Sequence, residues 1–168
     1  MLSKIVSGGQ TGADRAALDA GIEAGFPIGG NCPAGRLAED GSISNKYKLT
    51  EIEGGYRQRN KKNVTDSDGT AIFYSSYPTG GTEASVLFCI KQKKPYKLID
   101  IQLIDPRRSA EVLSRFIENF GISTLNVAGP RASSCPEIYD HVKQSITLVL
   151  RESHKPKGTT DPTRPGGA

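Results

Sequence analysis

The chain has 168 residues and a mass of 18.0 kDa, enough for one domain with its own core and short for two. Hydrophobic residues make up 36% and charged residues 24%, and no apolar run nears the ~20 residues of a membrane helix, so a membrane-spanning or wholly disordered chain is excluded. The net charge of +4 argues only weakly for nucleic acid, because Lys155, Lys157, Asp161 and Arg164 near the C-terminus already supply +2 of it.

Residues 3–7, close to the N-terminus, read as a strand, so no leader of the secretory type is expected. Residues 12–25 have the spacing of a helix, with Ala13, Ala16, Ala17, Ala20 and Ala24 on one small-residue face suited to close packing on a sheet and Gly25 as its stop. Phe26–Gly30 reads as a short strand leading into a loop. Residues 31–55 carry turn chemistry without a period, and so long a loop is often functional. Residues 56–63 predict a short polar helix whose basic residues read as a solvated face. Strands are expected at 70–75, 96–101 and 124–128, and helices at 82–92, 109–120 and 134–152. Alternating strands and helices imply an α/β fold, Rossmann-like, with helices on both faces of a mainly parallel sheet. One domain is expected over 1–152. The proline- and glycine-rich residues 153–168 read as a flexible tail.

In an open parallel α/β sheet, ligands bind outside the carboxyl ends of the strands. Three loops there carry anion chemistry. The first is Gly8-Gly9-Gln10-Thr11-Gly12-Ala13-Asp14, which opens a helix. Its glycines let backbone N–H groups turn toward a ligand, and the helix start adds partial positive charge. It is neither the GxGxxG fingerprint nor a P-loop. A structural alternative is a cap in which Thr11 pairs with Asp14. The second loop, Pro78-Thr79-Gly80-Gly81-Thr82-Glu83, offers phosphate contacts from Gly80, Gly81 and Thr82 and a carboxylate from Glu83. The third, Gly129-Pro130-Arg131-Ala132-Ser133-Ser134, places Arg131 where a phosphate or carboxylate would sit, with Ser134 and Glu137 in capping-box spacing. Together they describe a cleft for a phosphorylated, nucleotide-like small molecule.

Those same segments carry a resemblance. Ile5–Ala16, Cys32–Gly41, Ser67–Thr70, Gly80–Thr82 and Asn126–Ser133 are similar, in order, to the molybdenum cofactor carrier family, a circularly permuted branch of the SLOG (SMF/DprA–LOG) superfamily. The resemblance spans roughly residues 3–150. It implies a Rossmann-like fold that binds a nucleotide or a pterin phosphate such as molybdenum cofactor, and it leaves a homodimer open. Related LOG-type enzymes are nucleoside monophosphate phosphoribohydrolases with a Pro-Gly-Gly-x-Gly-Thr-x-x-Glu loop. The loop at 78–83 is shorter, with Glu83 directly after Thr82. The expected function is therefore a ligand-binding or carrier protein, with an N-glycosidic hydrolase using Glu83 and Arg131 as the alternative.

The remaining candidates divide as follows. Arg36 and Asp40, in the long loop, are expected at the cleft, and Tyr56, Arg57 and Arg59 are candidates to close over the ligand. Cys32, Cys89 and Cys135 lack metal-ligand spacing and read as buried thiols of a reduced, cytoplasmic protein. Asp66 and Asp68 read as a turn. His141 and His154 form no cluster, so no metal site is expected.

Overall fold

The computed structural model describes residues 1–153. The tail expected at 153–168 therefore lies, beyond Ser153, outside the described residues. The central sheet is built from β1 (Lys4–Val6), β2 (Ile28–Gly29), β7 (Gly69–Tyr74), β8 (Tyr96–Asp100) and β9 (Thr124–Ala128), in the order β2-β1-β9-β7-β8. Every neighbouring pair is parallel, with Ile5 beside both Ile28 and Leu125, and Ala71 beside both Lys97 and Val127. All five carboxyl ends therefore lie along one edge. The chain winds outward from β1 to β2 and from β7 to β8, and β9 is laid last between them. The crevice this leaves is bordered by the loops after β1, β9 and β7.

Among the described residues, five α-helices cover the sheet: α1 (Ala13–Glu23), α2 (Tyr56–Thr65), α3 (Gly80–Lys91), α4 (Pro106–Phe120) and α5 (Ile138–Ser153). Strand β7 shows how they divide. Ala71 and Phe73 point into the core shared with α1, α4 and α5, while Ile72 points the other way, to Val64 of α2 and Phe88 and Cys89 of α3. That alternation is the period of an extended strand buried on both faces. The expected Rossmann-like α/β architecture is what the chain adopts.

Local chemistry accounts for most boundaries. Helix α1 uses its alanine face as expected, with Ala13, Ala16, Ala17 and Ala20 fully buried. It ends one residue earlier than expected, with Ala24 as cap and Gly25 beyond it at φ 62°. Helix α3 begins at Gly80 rather than 82, so the glycine pair forms its first turn. Helix α4 begins at Pro106, where the Asp105 side chain accepts from Arg108 N at 2.8 Å. An aspartate cap followed by proline at the first helical position is a strong start signal. Helix α5 starts at Ile138, not 134, so the spacing of Ser134 and Glu137 does not mark its cap.

The 31–55 segment is not structureless. β3 (Asn31–Pro33) pairs in parallel with β6 (Thr50–Ile52), and β4 (Leu37–Ala38) pairs antiparallel with β5 (Gly41–Ser42). Ile43 and Tyr47 bury themselves with Cys32 against Leu18 of α1. Asn31 and Asn63 exchange hydrogen bonds: Asn63 Oδ1 accepts from Asn31 N at 2.8 Å, and Asn63 Nδ2 donates to Asn31 O at 3.1 Å. This tie seats α2 beside the crevice. No helix among the described residues is long and apolar enough to cross a membrane.

Candidate functional site

The three glycine-rich loops meet. A cavity of about 420 Å³ lies between them, lined by Gln10 and Asp14 from the first, Thr79–Thr82 from the second, and Gly129–Arg131, Ser133 and Ser134 from the third. Its remaining wall comes from Tyr56, Arg59 and Asn60 of α2, Ser85 of α3 and Ala128 at the end of β9. The volume falls within the range of small-ligand sites.

At the base lies a buried ion pair. Arg59 Nη1 donates to Asp14 Oδ2 at 2.6 Å, and the two side chains are 6% and 9% exposed. Asp14 also accepts from Gln10 N at 3.2 Å. Burial pushes the Asp14 carboxyl above its ordinary range, while the Arg59 charge and the hydrogen bonds from Gln10 and Ser7 pull against that shift. Asp14 is thus not a helix cap: Gly12 occupies that position, with no side-chain cap bond. Thr11 instead donates to Glu39 and accepts from Ala132 N at 3.1 Å. The pairing of Thr11 with Asp14 considered above does not occur.

Two glycines make this geometry possible. A Cβ at Gly8 would fall 1.7 Å from Arg59 Nη1 and 2.4 Å from its Cδ, so the arginine lies directly over the loop. At Gly12, with φ 79°, a Cβ would meet Pro130 O at 2.5 Å and Ala132 N at 2.7 Å. Here the first and third loops touch backbone to backbone.

Glu39 joins those loops from outside. Its carboxylate accepts from Thr11, from Ser133 N at 3.2 Å and from Ser133 Oγ at 2.5 Å, and lies 3.9 Å from Arg131 Nη1. The Ser133 and Thr11 hydrogen bonds hold its carboxyl below the usual range. Glu39 N and Thr11 N both donate to Gln10 Oε1, at 2.9 and 3.0 Å. The Gln10 amide is thereby oriented, and its Nε2 is buried without a partner; so is Arg59 Nε. The Tyr56 ring lies 5.6 Å from the guanidinium carbons of both Arg59 and Arg131.

The sequence candidates distribute unevenly around this cavity. Gln10, Asp14, Gly80, Gly81, Thr82, Gly129, Pro130, Arg131 and Ser133 line it; Gly8, Gly9, Thr11 and Gly12 shape the loop behind. Glu83 is exposed on α3 and is not among the lining residues. Arg36 is also elsewhere: it donates to the carbonyls of Ile43, Ser44, Tyr47 and Leu49 at 2.9–3.3 Å and holds the 43–49 segment together. Asp40 pairs with Arg15, whose Nε donates to Gly9 O at 3.1 Å. Arg57 stacks on Phe88, 4.9 Å from its ring centre. The expected solvated basic face of α2 fails at Arg59, which is 5% exposed. Cys32, Cys89 and Cys135 are buried away from the cavity, and burial raises each thiol pKa.

A parallel α/β sheet with three glycine-rich loops closing on one cavity defines a Rossmann-like protein with its cleft at the carboxyl edge. The chain belongs to the circularly permutated YpsA SLOG family, whose model matches residues 5–150. It is also similar to a protein from Syntrophus aciditrophicus SB, named "Putative molybdenum carrier protein", whose crystal structure was solved at 1.45 Å. The two are 42% identical with a TM-score of 0.86, and the match covers 89% of this chain and 95% of that one. No curated protein matches the chain.

Proposed function

We propose that this protein binds a phosphorylated, nucleotide-like or pterin ligand in the cleft and acts as a carrier or sensor for it. The observation that carries the reading is a cavity bordered by three glycine-rich loops and two arginines. Backbone N–H groups at helix starts, Arg131 and small hydroxyl residues are the chemistry a phosphate selects. The name of the Syntrophus protein supports a cargo that contains molybdenum, and the pterin is what the family resemblance implies for such a cargo. Such a cargo would be held through its organic part and phosphate, since no cysteine lines the cavity. Glycosidic cleavage gains less support. Glu83 stands outside the lining, and the carboxylate within it, Asp14, is engaged by Arg59.

Native mass spectrometry of the gently purified protein, paired with thermal shifts against nucleotides and pterin phosphates, tests the reading. A nucleotide or molybdopterin adduct, or a rise in Tm with one of these compounds, is expected and should be lost in Arg131→Ala. No adduct and no shift from any compound would reject it.

A further inference from the structure

We infer that the open edge of the central sheet, along β8, is a docking surface for an extended segment of a partner protein, one that alternates acidic with apolar side chains. The surface lies apart from the cavity and does not depend on the ligand-binding reading.

β8 ends the sheet, and among the described residues no strand pairs with its outer side. At the two ends of the β7–β8 pair, Thr70 N donates to Pro95 O at 3.0 Å and Ile101 N donates to Tyr74 O at 2.9 Å. The odd-numbered residues of β8 therefore face β7. The N–H and C=O groups of Tyr96 and Leu98 face outward, with the Asp100 N–H beside them. The Asp100 carbonyl is already taken, since it accepts from Leu103 N and Ile104 N. An outward row of main-chain donors and acceptors is a template for one more strand.

Side chains narrow what that strand can be. Leu98 stands beside Ile72, whose side chain points to α3, so Leu98 lies on the α3 face of the sheet. Arg57 of α2 stacks on Phe88, which marks the side of α3 that α2 covers. Val86 and Ile90 lie roughly 160° round the helix from Phe88, on the side away from α2. Val86 packs with Tyr96 of β8 on the cluster below, while Ile90 and Leu98 stay 53% and 42% exposed. The edge thus carries an apolar strip next to its free main-chain groups.

Charge completes the selection. Residues 91–99 hold four lysines and no acid. Lys94 turns inward and donates to Thr65 O at 3.2 Å and Ser67 O at 2.7 Å, while Lys91, Lys93 and Lys97 are exposed. A second copy is a poor occupant. Two-fold antiparallel pairing centred on Leu98 would set the two Lys97 side chains diagonally across the axis, like charge to like. Lysines of this kind keep an edge from pairing with itself. An acidic strand meets the same lysines with opposite charge.

The test is fluorescence anisotropy of the full chain with a capped, labelled peptide of alternating Glu and Val. Its Lys–Val counterpart, a fully N-methylated Glu–Val peptide and single-stranded DNA are the controls. The Glu–Val peptide should bind with a Kd below about 100 µM and slow amide exchange at Tyr96 and Leu98, and the controls should do neither. Lys93→Glu with Lys97→Glu, both on exposed residues, should keep Tm and weaken binding at least about tenfold. Leu98→Pro removes one outward N–H at an edge position that tolerates proline, and should abolish binding. No binding of the Glu–Val peptide, equal binding of the methylated peptide or the DNA, or a folded lysine variant that binds like wild type would overturn the inference. A concentration-dependent dimer that Leu98→Pro disperses would also overturn it, because a second copy would then occupy the edge.

Discussion

Arg59 carries its charge at 5% exposure, a placement made tolerable by Asp14 2.6 Å away. Breaking a buried pair by removing or displacing one partner costs about 3–5 kcal/mol, because the other charge stays behind unpaired. Gly8→Ala should do this without touching either ionic residue. Its Cβ would collide with the Arg59 Cδ as well as Nη1, so the side chain cannot simply swing its tip aside. We expect a loss of about 3 kcal/mol in denaturant unfolding; a change below about 0.5 kcal/mol would contradict the packing described. Arg36 makes a comparable case in the 31–55 segment. Its guanidinium ties four carbonyls, and Arg36→Ala should cost about 2 kcal/mol while leaving the cleft residues in place. Both roles are invisible in a sequence, where a buried arginine and a solvated one are the same letter.

Helices α4 and α5 meet over the sheet at a histidine. His141 Nε2 lies 2.9 Å from Ser109 Oγ, and its ring stands edge-on to Phe73 with centroids 6.2 Å apart. Burial lowers its pKa from 6.5, with Asp105 opposing the shift. A histidine whose folded pKa is depressed favours the folded state when neutral. Its contribution is therefore complete above the unfolded value and is lost as pH falls from about 6.5 through the lowered folded value. Tm should fall between pH 7.5 and 5 more steeply in wild type than in His141→Asn. Parallel profiles would show that the histidine is not the titrating group. Asp14, with its raised pKa, acts in the opposite sense, which is why the variant rather than the raw profile is decisive. The helix assignments themselves were legible where a period existed. Those of α1 and α4 come from their apolar stripes, whereas α2 is too polar to show which face it buries.

At the scale of the molecule, the cleft depends on a hairpin far from it in sequence. Glu39, in the turn between β4 and β5, accepts from Thr11 and Ser133 and so fastens the loops after β1 and β9 to each other. Asp40 next to it holds Arg15, which in turn holds Gly9 O. Glu39→Ala should release both loops at once. Amide exchange should quicken over residues 8–12 and 129–134, with little change in the β7–β8 pair on the far side of the sheet. Exchange unchanged in the loops, or faster everywhere, would show that Glu39 does not couple them. The resemblance marked Cys32–Gly41 as a motif, and Arg36 and Asp40 were the residues expected at the cleft; the linking carboxylate is the one between Asp40 and Ala38.

The sequence by itself determined the layers and the three glycine-rich loops at the carboxyl edge. Strand and helix periods set the alternation, and glycine pairs after strands mark where backbone must bend or approach closely. Those are local properties, written in neighbouring residues. Only the tertiary structure decided which side chains fill the space between the loops. Tyr56, Arg59 and Asn60 reach the cavity because Asn31 and Asn63 dock α2 there, and the Gln10 amide is oriented because Glu39 N, 29 residues away, occupies its acceptor. A polar side chain's role depends on the partners folding brings to it, and strands of two or three residues leave no period from which those partners can be read.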